Sequence, residues 1–237
     1  YWPASVNAAL ASINRSIFVN ASTEDKAAID SLENALNVSY GSEASAEILA
    51  SSNAFGKAVA DAVYNWSATD GIADVSDAYT PLVGPGLWVP TPPAFGKAST
   101  PYFGNMRTII TGDIDNTQPG PPIAYSEDPK SDFYQMVLQV YTVHENITPD
   151  QVAWATFWRD IPGVTTGGHW ESILQQVLKI TNSHLDKAAF AYALTGICNS
   201  DPSISCWQTK YNYNLVRPIT YIQNVMGYTT WGPTLTT

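Results

Sequence analysis

Lys210 and Arg217 stand seven residues apart in "CWQTKYNYNLVRPITYI", residues 206–222, and no Asp or Glu follows Asp201 anywhere in the chain. The whole sequence carries 11 Lys plus Arg against 21 Asp plus Glu, so a surface cation would ordinarily find a carboxylate beside it. Two cations kept away from carboxylates suit a different anion. Arg offers a planar fork of donors and Lys a mobile point charge, a pairing that fits one tetrahedral oxyanion. The plainer alternative is a cation favoured by a helix C-terminal dipole at Arg217 and an exposed Lys210. Trp207, Tyr211, Tyr213 and Leu215 argue against it, because they make the segment too apolar for a solvated face.

The element that must position the pair reads as a helix over residues 202–217. Asp201 is the expected N-cap and Pro202 the first-turn proline, and Pro218 disfavours helical geometry at Arg217. Trp207, Lys210, Asn214 and Arg217 then fall at i, i+3, i+7 and i+10 and share one face. The two cations lie roughly 10 Å apart along the axis, close enough to converge on one anion. Asn214 and Tyr211 either orient the cations or are satisfied core polar groups.

Around this helix the pattern is mainly α. "PASVNAALASINRSIF" and "STEDKAAIDSLENALN" are periodic, the second with cap-type residues and acids in its first turn. Ile48, Phe55, Val59, Val63 and Trp66 form one stripe of a helix expected over 42–66. From residue 69 to 131 the chain is dense in Pro and Gly, so a long ordered loop is expected, packed through its aromatics. Helices resume at "SDFYQMVLQVYTV" and at 149–158, where Thr148, Pro149 and Gln151 form a capping-box start. Two more are expected, from about 169 to 180 and from 186 to 197.

Hydrophobic residues make up 45% and charged residues 14%, which excludes general disorder. A net charge of −10 argues against a nucleic-acid partner or an anionic membrane surface. No apolar run approaches the roughly 20 residues of a membrane span. The first residue is Tyr1, so a removed leader or a trimmed start is expected. Sequons at Asn14, Asn20, Asn37, Asn65 and Asn146 also arise by chance in so Asn/Ser/Thr-rich a chain; that composition with low Lys leans towards an exported protein. Cys198 and Cys206 either close a small disulfide loop or are two buried thiols. His144 and His184 read as surface residues.

"KYNYNLVRP" fits K-x6-R-P, the first signature of the superfamily joining vanadium-dependent haloperoxidases, type 2 phosphatidic-acid phosphatases and bacterial acid phosphatases. The chain resembles the bacterial haloperoxidase-like branch over almost its whole length. "GKAVADAVYNWSATDG", "GLWVPTPPAFG", and "DQVAWATFW" followed by "GGHW" agree in order and spacing. The resemblance implies an all-α bundle of the haloperoxidase and acid-phosphatase type, one domain over 1–237. It also implies a vanadate site, which phosphate or sulfate could occupy instead. Lys210 and Arg217 would bind equatorial oxygens, with Lys210 catalytic through the reacting oxygen. Trp207 and His169 would line the halide or substrate pocket, and Asp160 would stand near the site.

The family's two later signatures, P-S-G-H and R-x5-H, are absent from these 237 residues. The axial histidine is therefore expected downstream in a longer parent chain, and the isolated 237 residues are expected to show no vanadate-dependent turnover. The implied activity is oxidation of halide by hydrogen peroxide. The alternatives are a phosphomonoesterase on the same cations, or a non-catalytic exported protein whose aromatics stack on sugars. The implied partners are small molecules (halide, peroxide or a phosphate ester), with a homodimer left open.

Overall fold

The computed structural model describes residues 1–159 and 166–235. They group into two compact units, Tyr1–Ile72 and Ala73–Thr237. Both are helical, and among the described residues there is no β-strand.

The first unit holds α1 (Trp2–Ile17), α2 (Thr23–Tyr40) and α3 (Ala46–Ser67). Ser22 and Ser45 cap α2 and α3, their hydroxyls accepting from the amides of Asp25 (3.0 Å) and Ile48 (3.3 Å). The cap at Ser45 sets the start of α3 at Ala46, four residues beyond the expected one. Helix α1 meets α3 through small residues. Ala4, Ala8 and Ala60 are buried, and a Cβ at Gly56 would stand 2.1 Å from the Ser5 carbonyl oxygen. Only glycine permits that approach. The expected stripe from Ile48 to Trp66 is largely exposed, with Phe55 meeting the Trp2 ring of α1 edge-on. Arg15 ties α1 to α2 by pairing with Asp30 (2.6 Å) and with Glu33.

The second unit begins with the expected irregular wrap. Between Asp74 and Ser131 the only regular elements are a 3-10 turn, Phe103–Asn105, and the single-turn α4 (Asp113–Thr117). Then come α5 (Asp132–Glu145), α6 (Pro149–Trp158), α7 (Thr166–Ile180), α8 (Leu185–Tyr213) and α9 (Pro218–Asn224). The capping box at Thr148 and Gln151 is formed, so α6 has the expected bounds. A core of Phe133, Val137, Tyr221, Ile222 and Trp231 joins α5, α9 and the C-terminal segment. Helix α8 packs on α7, on α4 and on the turn at Phe103–Asn105. A Cβ at Gly104 would sit 2.5 Å from the Gln208 backbone, so the wrap lies directly on the helix.

The expected helix over 202–217 is wrong at both ends. Helix α8 runs through Pro202 and joins the segments expected as separate helices. Pro202 removes the amide that would bond to the Cys198 carbonyl, yet packing overrides this local cost. Asp201 is no cap. It is buried, and its two carboxylate oxygens accept from the backbone N–H groups of Ile109 and Ile110, each at 2.8 Å. The helix then stops at Tyr213 because Asn214 turns left-handed (φ 44°, ψ 43°), a conformation that Asn tolerates better than most residues. Pro218 opens α9 instead of closing α8, with Arg217 extended before it (φ −74°, ψ 148°).

Two stability measurements follow from these ties. Asp201→Ala leaves two amides unpaired and is expected to cost about 2–3 kcal/mol in urea unfolding, the worth of lost hydrogen bonds to a charged group. A change within about 0.5 kcal/mol, as at an ordinary surface site, would contradict the clamp. At the turn, Asn214→Val is expected to cost about 1–3 kcal/mol, because a β-branched residue is strained at positive φ. Asn214→Gly, which is free of that strain, should change stability by less than about 1 kcal/mol. Equal costs in the two variants would show that backbone conformation is not what Asn214 supplies.

Candidate functional site

The end of α8, the wrap over residues 88–99 and the extended segment after Asn214 enclose a cavity of about 590 Å³. Lys210, Tyr211 and Asn214 line it from the helix end, and Arg217 from the segment beyond. The sequence expectation of a shared helical face fails for Asn214 and Arg217, but both cations still reach one cavity. The left-handed turn redirects the chain, and backbone bonds hold its new course. Trp88 N–H donates to Asn214 O (2.8 Å) and Val216 N–H to Gly86 O (2.8 Å), around a single antiparallel bridge between Leu87 and Leu215.

Among the described residues no Asp or Glu lines the cavity. Arg15 is ion-paired, with Asp30 and Glu33, and among the described residues neither Lys210 nor Arg217 forms an ion pair. The Lys210 ammonium lies 4.6 Å from the centre of the Trp207 ring, within cation–π range. Although Lys210 is exposed as a whole, partial burial lowers its pKa from the ordinary 10.5, and the neighbouring Arg217 charge lowers it further. Both effects leave the ammonium short of the stabilisation that an anion would give it.

The other expected residues take different places. Trp207 is absent from the cavity lining and acts through Lys210. Its indole N–H donates to Thr100 Oγ1 (2.9 Å) and its ring meets the edge of Phe103, so the face under Lys210 is fixed by the wrap. Tyr211 lines the cavity, but its hydroxyl donates to the Ser99 carbonyl (2.6 Å) and its ring packs on Tyr79. It pins the wrap to α8 and makes no hydrogen bond to either cation. Burial chiefly, with Tyr79 beside it, raises its pKa. Asn214 is buried, and its Nδ2 has no hydrogen-bond partner.

His169 lies on α7, stacked on Phe157 (4.8 Å) and edge-on to Trp158, and is not part of this cavity. Asp160 lies outside the described residues. His144 is not a plain surface residue, because Trp231 packs on its ring and donates its indole N–H to Nδ1 (3.1 Å). His184 precedes α8 at its N-cap without a side-chain cap bond. Cys198 and Cys206 are free and exposed, not buried and not bridged. Eight positions apart on one helix, they are separated by about 12 Å along the axis, beyond disulfide reach.

One cation of the cavity escaped the sequence reading. Lys97 lines the same space from the wrap. Its signal was of the same kind as that of Lys210, since no acid occurs from residue 78 to 112. Among the described residues no cluster of His, Cys, Asp and Glu could hold a metal ion, and no helix is long and apolar enough to cross a membrane. The donor set is cationic and suits an oxyanion, vanadate included.

No family model matches the sequence, and no curated protein does. Among solved structures, the chain is similar to the crystal structure of a bacterial vanadium-dependent iodoperoxidase, at 32% identity and a TM-score of 0.76. The likeness covers 91% of this chain and 54% of that one, so the chain spans about half the length of the iodoperoxidase. The all-helical fold and this likeness support assignment of the chain to the vanadium haloperoxidase superfamily.

Proposed function

We propose that the cavity at Lys210 and Arg217 is the oxyanion-binding part of a vanadate site, serving halide oxidation by hydrogen peroxide. The observation that carries the reading is two cations on one cavity that, among the described residues, have no ion-pair partner and no carboxylate in the lining. The likeness to the iodoperoxidase supports it. Vanadate bound there would activate hydrogen peroxide towards halide without a change in the oxidation state of the metal.

This chain's own contribution is electrostatic. Arg217 would offer a planar set of donors to the oxygens of the bound anion. Lys210, held over Trp207, presents a positive charge and N–H donors to the oxygen on which charge develops. Its lowered pKa makes it the readier of the two to move a proton. No histidine lines the cavity. By the resemblance a histidine of R-x5-H would also hold the group, and these residues do not contain that motif. A phosphoryl group would engage the same cations, so phosphate and sulfate are usable probes. We further propose an exported protein acting on small molecules.

Arg217→Ala is expected to weaken phosphate and vanadate binding by about 1–2 kcal/mol, a charge-assisted hydrogen bond discounted for the exposure of the side chain. Calorimetric titration of both anions checks this, and unchanged affinity would return Arg217 to a role at the surface.

The lowered pKa of Lys210 sets a pH dependence whose sign is fixed. Sulfate, whose charge is constant over this range, prefers the ammonium form. Its affinity should be full well below the Lys210 pKa and fall as pH rises through it, at a pH below 10.5. Lys210→Arg should carry binding to higher pH, because guanidinium does not deprotonate there. Profiles that coincide in the two proteins would remove Lys210 from the site.

A further inference from the structure

The cavity is larger than one tetrahedral oxyanion requires. Its 590 Å³ falls within the roughly 300–1,000 Å³ typical of organic-ligand pockets. Much of its wall is apolar or aromatic, with Trp88, Pro122, Tyr213 and Leu215 among the lining residues. A third cation, Lys97, faces this space from a different part of the chain than Lys210 and Arg217. Lys97 is exposed and forms no ion pair or hydrogen bond among the described residues. The backbone that carries it is held close to the cavity on its C-terminal side. Ser99 O accepts from Tyr211, and Thr100 Oγ1 accepts from Trp207. The stretch from 78 to 112 has no acid to neutralise Lys97 locally.

We propose that Lys97 binds the carboxylate of a small aromatic acid, the organic substrate, in the same cavity and alongside the oxyanion at Lys210 and Arg217. The inference rests on the oxyanion reading above for the second occupant, and names the substrate class of that site. An aromatic ring suits walls that contain an indole and phenols, since such faces stack and exclude water. A carboxylate suits a lysine with no protein anion beside it, because the ammonium gains a charge-assisted bond without giving one up. Lys97 is thus a specificity-determining residue: it selects acids over neutral aromatics of the same shape.

The test uses 4-hydroxybenzoate as probe, its neutral analogue 4-hydroxybenzamide, and inorganic phosphate, titrated calorimetrically into the chain and into Lys97→Gln. 4-Hydroxybenzoate is expected to bind the phosphate-saturated protein. Lys97→Gln should weaken it about five- to tenfold, a partly screened charge contact, while phosphate affinity stays within about twofold. The amide should bind both proteins alike. The proposal is overturned if Lys97→Gln leaves 4-hydroxybenzoate affinity unchanged, or if the carboxylate and phosphate compete. It is equally overturned if phosphate affinity falls as much as that of the acid, which would make Lys97 a third ligand of a single oxyanion. Failure of phosphate to bind at all, with Lys97-dependent binding of the acid intact, would sink the oxyanion reading and leave this one standing.

Discussion

Asn214 leaves α8 in the left-handed region, and the next three residues run extended against Gly86 and Trp88. The position of both cations depends on that turn. A straight helix would keep Lys210 and Arg217 about two turns apart on one rod, sharing whatever surface the rod met. The turn instead places Lys210 on the last helical turn and Arg217 on a separate strand-like segment, so they approach one cavity from different elements. It also frees Pro218 to begin α9, whose Tyr221 and Ile222 enter the core. One backbone conformation thus couples the site to the packing of the whole second unit.

The wrap completes the arrangement from outside. Asp201 clamps Ile109 and Ile110, Gly104 lies against Gln208, and Thr100 and Ser99 hold Trp207 and Tyr211. These contacts fix side chains that flank the cations, while none of them brings a carboxylate to the cavity. The described acidic residues of a chain with net charge −10 stay elsewhere, and the Arg217 charge raises the cost of the Lys210 ammonium. Such an arrangement is expensive for folding alone and suits binding an anion.

Much of this was legible before any coordinates. The Thr148–Gln151 capping box, the Pro/Gly-dense wrap and the Lys210–Arg217 pair are local signals with strong physical rules behind them. What misled was also local. Asp-Pro at 201–202 has the chemistry of a helix start, but a carboxylate can equally serve amides ninety residues away, and no short-range rule separates the two. Pro218 excludes helix at Arg217 whether it ends one helix or begins the next. Lys97 was passed over because a cation in an irregular loop has no periodicity to align it with a site. His169 matched the family-like order of segments, yet its ring stacks on Phe157 and Trp158 away from the cavity.

The central claim is that Lys210 and Arg217 hold one oxyanion between them, and a crystal structure of the chain with vanadate or phosphate tests it most directly. The account expects one tetrahedral density inside the cavity, within hydrogen-bond distance of both the Lys210 ammonium and the Arg217 guanidinium. Density elsewhere, or a carboxylate closed over either cation with the cavity empty, would contradict it.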